Sequence, residues 1–327
     1  MSALFQATQA RLLRYQIPFS CPLSFNGQRL TEREGLILQL QDKNGRCSFG
    51  EIAPLPGFSN ETLAQASAQI ITLLKQGITA LNQHSELLYP SVQFALDNAL
   101  QQTPLTAKMS NRDIIPLLQG DNSQIISAYL SLNKPLLIKL KVARQSVQQD
   151  ILLFTQLTCL NPLLAIRLDA NQAWTRDQAS QFFSRVNTRQ LDYIEEPTPS
   201  LSDNLHLAQR YRIGLALDET LQRPDFCYQK SKQIKALILK PMLIGSLSRV
   251  QHFINIAREQ QLLVSISSSF ESVIGLLQLA CLAQRYKKEA AVSLGLDTLK
   301  YFQPALLTDK NRIEQDLQLL ECLWRSH

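Results

Sequence analysis

Glycine is scarce in this chain, 11 of 327 residues, and neither G-x-G-x-x-G nor G-x-x-x-x-G-K-[ST] occurs. That argues against the two commonest glycine-cradled phosphate sites. No uninterrupted apolar run approaches the roughly 18 residues a membrane span needs, so no membrane partner is expected. The opening MSALFQATQARLLRYQ has no basic n-region, apolar h-region or cleavage site, so no secretory signal is read. Cys21, Cys47, Cys159, Cys227, Cys281 and Cys322 are far apart and form no C-x-x-C. This excludes a compact zinc site built from cysteines alone and leaves free thiols in a reducing cytoplasm as the expectation. His84, His206, His252 and His327 have no metal-ligand spacing, so acid–base chemistry falls to Lys, Asp or Glu.

Positive charge is in mild surplus, a net +6, but it is scattered. The densest basic cluster, Arg285 to Lys288, runs straight into Glu289. A nucleic-acid binder gathers its cations on one helix or arm, so no nucleic-acid partner is expected. A diffuse surplus fits an ordinary solvated surface or mild attraction for an anionic substrate.

With 45% hydrophobic and 18% charged residues the chain can bury a real core. Residues 1–105 have mixed texture. Alternating apolar stretches such as 35–40 read as strands, and 47–58 ends in a Pro- and Gly-punctuated turn. A helix follows with Ser59 or Asn60 as N-cap, then a second over 91–102. Beyond residue 110 the texture changes. Eight short apolar runs (114–118, 136–140, 163–168, 191–194, 213–217, 236–239, 262–266, 291–294) alternate with helix-like segments. The polar groups closing the last seven, Lys141, Asp169, Glu195, Asp218, Lys240, Ser267 and Gly295, are separated by 28, 26, 23, 22, 27 and 28 residues. So regular a series predicts an α/β fold, a (β/α)8-type (modified TIM) barrel with an α+β capping domain. The expected division is a cap over 1–105, a barrel over 106–299, and a tail over 300–327 that packs back on the cap and holds a helix at 312–324.

Barrel chemistry gathers where the strands' carboxyl ends meet the loops that follow. The strand ends here read Lys139-Leu140-Lys141, Asp169-Ala170-Asn171, Glu195-Glu196-Pro197, Asp218-Glu219-Thr220 and Lys240-Pro241. Each has an ordinary explanation alone: a solvated strand edge, a helix N-cap, a snorkelling lysine. Their positions in the ring decide otherwise. Strand residues two apart share a face, so Lys139 and Lys141 can both enter the mouth. The second and sixth strands of eight are opposite, so Lys141 and Lys240 face one another, with Asp169, Glu195 and Asp218 on the arc between. Three such carboxylates repel strongly unless a divalent cation sits among them, and an all-oxygen set suits Mg²⁺ better than zinc. A cation flanked by lysines is suited to removing a proton α to a carboxylate. A lysine crowded by other cations has a lowered pKa, which makes it usable as a base.

The set K-x-K, D-x-N, E-E-P, D-E-T and K-P at strand ends resembles the enolase superfamily, within it the muconate-lactonizing subgroup. The segments GEIAPLPGFS (50–59), IRLDAN (166–171), SSSFES (267–272) and GLDT (295–298) look like the o-succinylbenzoate synthases of menaquinone biosynthesis. The resemblance implies a cytoplasmic Mg²⁺-dependent lyase that dehydrates 2-succinyl-6-hydroxy-2,4-cyclohexadiene-1-carboxylate, a small-molecule dicarboxylate, to 2-succinylbenzoate. It implies Asp169, Glu195 and Asp218 as metal ligands, Lys141 as the base that later assists hydroxyl departure, and Lys240 as the opposed electrostatic group. Lys139 would tune Lys141 and approach the substrate carboxylate, Asn171 and Glu219 would support the site, and Ser267 and Gly295 would hold the succinyl arm with Arg167 contributing. A capping loop within 15–30 would close over the mouth. Opposed lysines also suit the N-succinylamino acid racemases and dipeptide epimerases of the same subgroup, which form the alternative; the segments at 54–59 and 295–298 favour the synthase.

Overall fold

Strand pairing at both ends of the chain, and eight parallel strands between them, organise the molecule. The structure, a computed structural model, describes residues 4–25, 27–83, 88–107 and 114–326, so His84 and His327 lie outside the described residues. His206 and His252 are exposed on helices.

The cap begins with two long antiparallel strands, β1 (Ala7–Phe25) and β2 (Gln28–Asp42), followed by β3 (Cys47–Ile52). The segment expected to be a loop within 15–30 is thus largely a hairpin arm, with its pairing register shifting between Pro18 and Leu23. Proline cannot donate to a ladder, which accounts for an irregularity there. The helix α1 (Leu63–Lys75) starts later than the sequence suggested: Thr62 and Gln65 form a capping box. The Ser59 hydroxyl instead accepts a hydrogen bond from the Leu55 N–H at 2.8 Å, inside the preceding turn. The helix α2 (Pro90–Leu100) buries its apolar face against β2 and β3.

Eight strands then form one parallel sheet in sequence order: β4 (Leu117–Leu118), β5 (Leu137–Lys141), β6 (Ala165–Asp169), β7 (Leu191–Glu195), β8 (Leu215–Leu217), β9 (Ile234–Leu239), β10 (Leu263–Ser267) and β11 (Ala291–Gly295). A parallel bridge from Ile114 to Leu294, with the Ile115 N–H donating to the Leu294 carbonyl, closes the ring. The first strand is shorter than its apolar run because Pro116 has no N–H to pair, although its carbonyl accepts from Lys139 N. The fold is the expected α/β barrel with an α+β cap.

The outer layer consists of α3 (Asn122–Ser131), α4 (Val147–Leu160), α5 (Arg176–Phe183), α6 (Leu201–Tyr211), α7 (Glu219–Gln222), α8 (Pro241–Ile244), α9 (Leu247–Gln260) and α10 (Val273–Tyr286). One unit departs from the series: between β8 and β9 the chain makes only the short α7. It stops at Arg223, whose extended backbone is what the following Pro224 favours. The tail also differs from expectation. Its helix, α11 (Ile313–Leu319), is followed by a strand, β12 (Glu321–Arg325), that pairs antiparallel with β1. The free edge of β1 supplies the backbone partners that turn this last segment from helix into strand.

Cap and barrel are joined by buried polar contacts. Glu51 on β3 accepts hydrogen bonds from the Tyr15 hydroxyl (2.6 Å), Ser272 N (2.8 Å), Ser272 Oγ (2.6 Å) and Gly275 N (2.8 Å). Arg33 on β2 donates to the carbonyls of Pro54 (2.7 Å), Ala53, Phe270 (3.0 Å) and Ser269 (3.3 Å). One guanidinium therefore holds a cap turn and a barrel loop in fixed relation.

Candidate active site at the barrel mouth

The β5 segment Leu-Ile-Lys-Leu-Lys puts Ile138 and Leu140 in the apolar layer beneath the helices, and Lys139 and Lys141 on the other face. Parallel register then sets Lys141 beside Asp169, and Asp169 beside Glu195. Asp218 follows β8 immediately, and Lys240 follows β9.

Asp169, Glu195 and Asp218 are 1%, 2% and 1% exposed. Their nearest carboxylate oxygens all lie within 4.8 Å of one another. Lys139 Nζ is 2.8 Å from Asp169 Oδ2 and 2.6 Å from Glu195 Oε2. Lys141 Nζ is 2.6 Å from the same Asp169 oxygen and donates to Asn171 Oδ1 at 2.6 Å. Lys240 Nζ is 2.5 Å from Asp218 Oδ2. Asn171 donates in turn to Glu219 Oε1 at 3.2 Å.

Burial opposes charge on each of these groups, and the neighbours decide the outcome. Burial draws the Lys139 pKa down, but Asp169 and Glu195 overcome it and hold the amine well above the ordinary lysine value. For Lys141 burial prevails, reinforced by the charges of Lys139 and Lys240, and the pKa is lowered. Lys240 goes the other way: Asp218 and Glu219 outweigh burial and raise it. Burial pushes Glu195 up to about 8, with Asp169 and Asp218 adding to the shift. Glu219 also rises to about 8 through burial and the proximity of Asp218. In Asp169 burial is outweighed by Lys139 and Lys141, which keep it well below the usual carboxylate range.

Two buried carboxylate oxygens, Asp218 Oδ1 and Glu219 Oε2, have no hydrogen-bond partner among the described residues. A buried acceptor left unpaired is costly. A hard divalent cation among three converging carboxylates offsets both that cost and their mutual repulsion. The donor set therefore fits a divalent metal ion.

The remaining residues singled out from the sequence line the same cavity, about 1000 Å³ counted to its open mouth. Ser267 and Gly295 are register partners on β10 and β11. A Cβ at 295 would lie 2.5 Å from Ser267 Oγ, so only glycine leaves that hydroxyl its position. Arg167 sits with Nε 2.8 Å from Asp192 Oδ2, Nη1 3.1 Å from Ser293 Oγ, and its guanidinium 4.7 Å from the Tyr193 ring centroid. Its charge is thus already met by Asp192.

Other residues escaped the sequence reading. Glu196 accepts from Asp218 N (2.9 Å), Thr220 N (3.1 Å), Thr220 Oγ1 (3.0 Å) and Gln172 Nε2 (2.5 Å), and so fixes the turn that carries Asp218. Its signal was the doublet itself: adjacent strand-end residues point opposite ways, so one glutamate enters the mouth and the other braces the loops. Leu23, Ser24, Leu55 and Phe58 of the cap also line the cavity, and Lys240 Nζ lies 5.7 Å from the Phe58 ring centroid.

A family described as "MenC, N-terminal domain" matches residues 7–103, and one described as "Enolase C-terminal domain-like" matches residues 137–315. The o-succinylbenzoate synthase of Vibrio cholerae serotype O1 is 36% identical over 330 residues, covering 97% of this chain and 98% of that protein. A solved structure, o-succinylbenzoate synthase from Thermosynechococcus elongatus complexed with Mg in the active site, matches with a TM-score of 0.75 at 24% identity, covering 95% and 100% of the two chains. The N-succinyl Arg/Lys racemase of Bacillus cereus matches with a TM-score of 0.77 at 16% identity, covering 98% and 99%, a likeness of fold alone. A capped barrel whose mouth holds a buried acidic triad flanked by lysines defines the class as the enolase superfamily. Within that class the chain belongs to the o-succinylbenzoate synthase family.

Proposed function

We propose that the protein is an o-succinylbenzoate synthase, a hydro-lyase that dehydrates 2-succinyl-6-hydroxy-2,4-cyclohexadiene-1-carboxylate to 2-succinylbenzoate with Mg²⁺ as its metal. The observation that carries this reading is the placement of two lysines, Lys141 and Lys240, in contact with Asp169 and Asp218 of the buried triad.

Asp169, Glu195 and Asp218 would hold the cation, with Asn171 and Glu219 orienting them. Bound there, Mg²⁺ supplies positive charge to the ring carboxylate and so acidifies the adjacent C–H. Lys141 Nζ takes that proton from the ring carbon bearing the carboxylate. The electron pair left behind forms the new ring double bond as the neighbouring C–O bond breaks. Lys141 then returns its proton to the departing hydroxyl, so water leaves and Lys141 is regenerated. Lys240, kept charged by Asp218, places a fixed positive charge on the opposite side of the substrate. Lys139 bridges Asp169 and Glu195 and keeps both acids in place beside Lys141. Ser267 and Gly295 would receive the succinyl arm, and Arg167 would close the floor beneath it.

The segments at 54–59 and 295–298, and 36% identity to an o-succinylbenzoate synthase along 97% of the chain, favour dehydration over racemisation. In the proposed division, residues 106–299 carry the chemistry, while 1–105 and 300–327 form the cap that shields it from water. Six cysteines without a disulfide partner support a reducing cytoplasmic setting.

The test is direct. Purified protein with Mg²⁺ is expected to convert the cyclohexadiene into a species with aromatic absorbance, and EDTA to stop it. Faster turnover of an N-succinylamino acid without dehydration overturns the reading.

A further inference from the structure

Five cationic side chains line the cavity, and four are already matched by acids: Lys139 by Asp169 and Glu195, Lys141 by Asp169, Arg167 by Asp192, and Lys240 by Asp218. The fifth, Arg144, forms no ion pair among the described residues. Its Nη1 donates only to a neutral partner, Gln119 Oε1, at 3.0 Å. The nearby Asp297 does not compete for it, because that carboxylate is closed onto Lys300.

The loop presenting Arg144 is held firmly. Val142 N donates to the Asp169 carbonyl at 3.0 Å, Ala143 turns the chain with φ of 62°, and Ala143 N donates to Asp150 Oδ2 at 2.9 Å. Arg144 follows directly, partnered by Gln119 from the loop after β4. In the closed ring β4 and β11 lie opposite β8 and β7, the strands that carry Asp218 and Glu195. A molecule anchored by one carboxylate at the triad therefore extends toward Ser267, Gly295 and Gln119, and Arg144, exposed after β5 and hydrogen-bonded to Gln119, stands at the rim of that route. A guanidinium without an acidic partner at the rim of such a cavity has the charge and the fork of donors that suit a second carboxylate.

We propose that Arg144 is a specificity-determining residue that binds the distal carboxylate of the substrate's succinyl arm, giving the site its preference for a dicarboxylate. This rests on the reading of the protein as an o-succinylbenzoate synthase.

The test uses calorimetric binding of two acids to the full chain loaded with Mg²⁺: o-succinylbenzoate, and 2-butanoylbenzoate, in which a methyl group replaces the distal carboxylate. Wild type is expected to bind the diacid about 10-fold tighter or more, as suits a charge-assisted hydrogen bond. R144Q is expected to lose most of that preference while its affinity for 2-butanoylbenzoate stays within about 2-fold, and R144K to keep part of it. Equal preference in wild type and R144Q, or no preference in wild type, overturns the role of Arg144 and leaves the enzyme's function standing. Wild type that binds neither acid overturns the functional reading and this inference with it.

Discussion

Lys141 Nζ and Asp169 Oδ2 lie 2.6 Å apart on adjacent parallel strands, in direct register. The pairing holds the amine at the mouth, and burial together with Lys139 and Lys240 lowers its pKa. Replacing Lys141 with alanine removes the proposed base yet leaves Asp169 partnered by Lys139. The expected result is a loss of about 10⁴-fold in kcat, the upper end for a positioned general base. The thermal midpoint and the affinity for Mg²⁺ should change little. Dehydration retained within 10-fold of wild type would remove Lys141 from the role of base.

Asp218→Asn tests the acidic triad. It removes the charge of a carboxylate whose Oδ1 has no partner among the described residues, and it frees Lys240 from its counter-ion. Mn²⁺ binding, followed by electron paramagnetic resonance, should weaken by about 100-fold, since altering even supporting groups of metal sites costs 10–100-fold. Unchanged affinity would break the ligand assignment.

The strand ends were legible because barrel chemistry has a fixed address. A polar residue closing an apolar run every 22 to 28 positions places itself at the mouth without any knowledge of side-chain contacts. Lys141, Asp169, Glu195, Asp218 and Lys240 were placed at the mouth that way, and Lys139 by sharing a strand face with Lys141. Arg144 and Glu196 were given no role, because Arg144 lies three residues past its strand end and Glu196 stands beside a glutamate already assigned to the mouth, so the loop geometry decides where each points. Glu196 turns to the N–H groups of Asp218 and Thr220, and Arg144 is aimed by the left-handed backbone of Ala143. The cap contacts were hidden for a different reason. Leu23 and Phe58 reach the cavity from elements far away in sequence, and nothing periodic marks them. The tail was misread because 313–325 carries one apolar pattern, while the available edge of β1 makes its last five residues a strand.

Gly295→Ala probes the proposed arm-binding wall. The added Cβ would come within 2.5 Å of Ser267 Oγ, the tip of a side chain that can turn aside. The fold should therefore survive with a thermal midpoint within a few degrees of wild type. The displaced hydroxyl should raise KM for the cyclohexadiene on the order of 10-fold while kcat changes less, the signature of lost binding rather than lost chemistry. A fall in kcat with unchanged KM would show that this wall does not hold the arm.

Glu271 ties stability to pH. It is fully buried, its Oε2 accepts from Ser269 N at 2.6 Å, and its Oε1 has no partner among the described residues. Burial, with Glu51 nearby, pushes its pKa up to about 7 from an ordinary 4.5. The folded state therefore holds this proton more tightly than the unfolded chain does. Linkage then sets the sign: the stabilisation is complete below pH 4.5 and is lost as pH rises through about 7. At 1.36 kcal/mol per pKa unit the loss amounts to about 3 kcal/mol. Glu271→Gln keeps the acceptor facing Ser269 N but cannot ionise. Urea unfolding at pH 5 and pH 8 should thus show the variant gaining on wild type by about 3 kcal/mol between the two pH values, with the advantage at pH 8. A difference between variant and wild type that does not change with pH would place the Glu271 proton equally in both states.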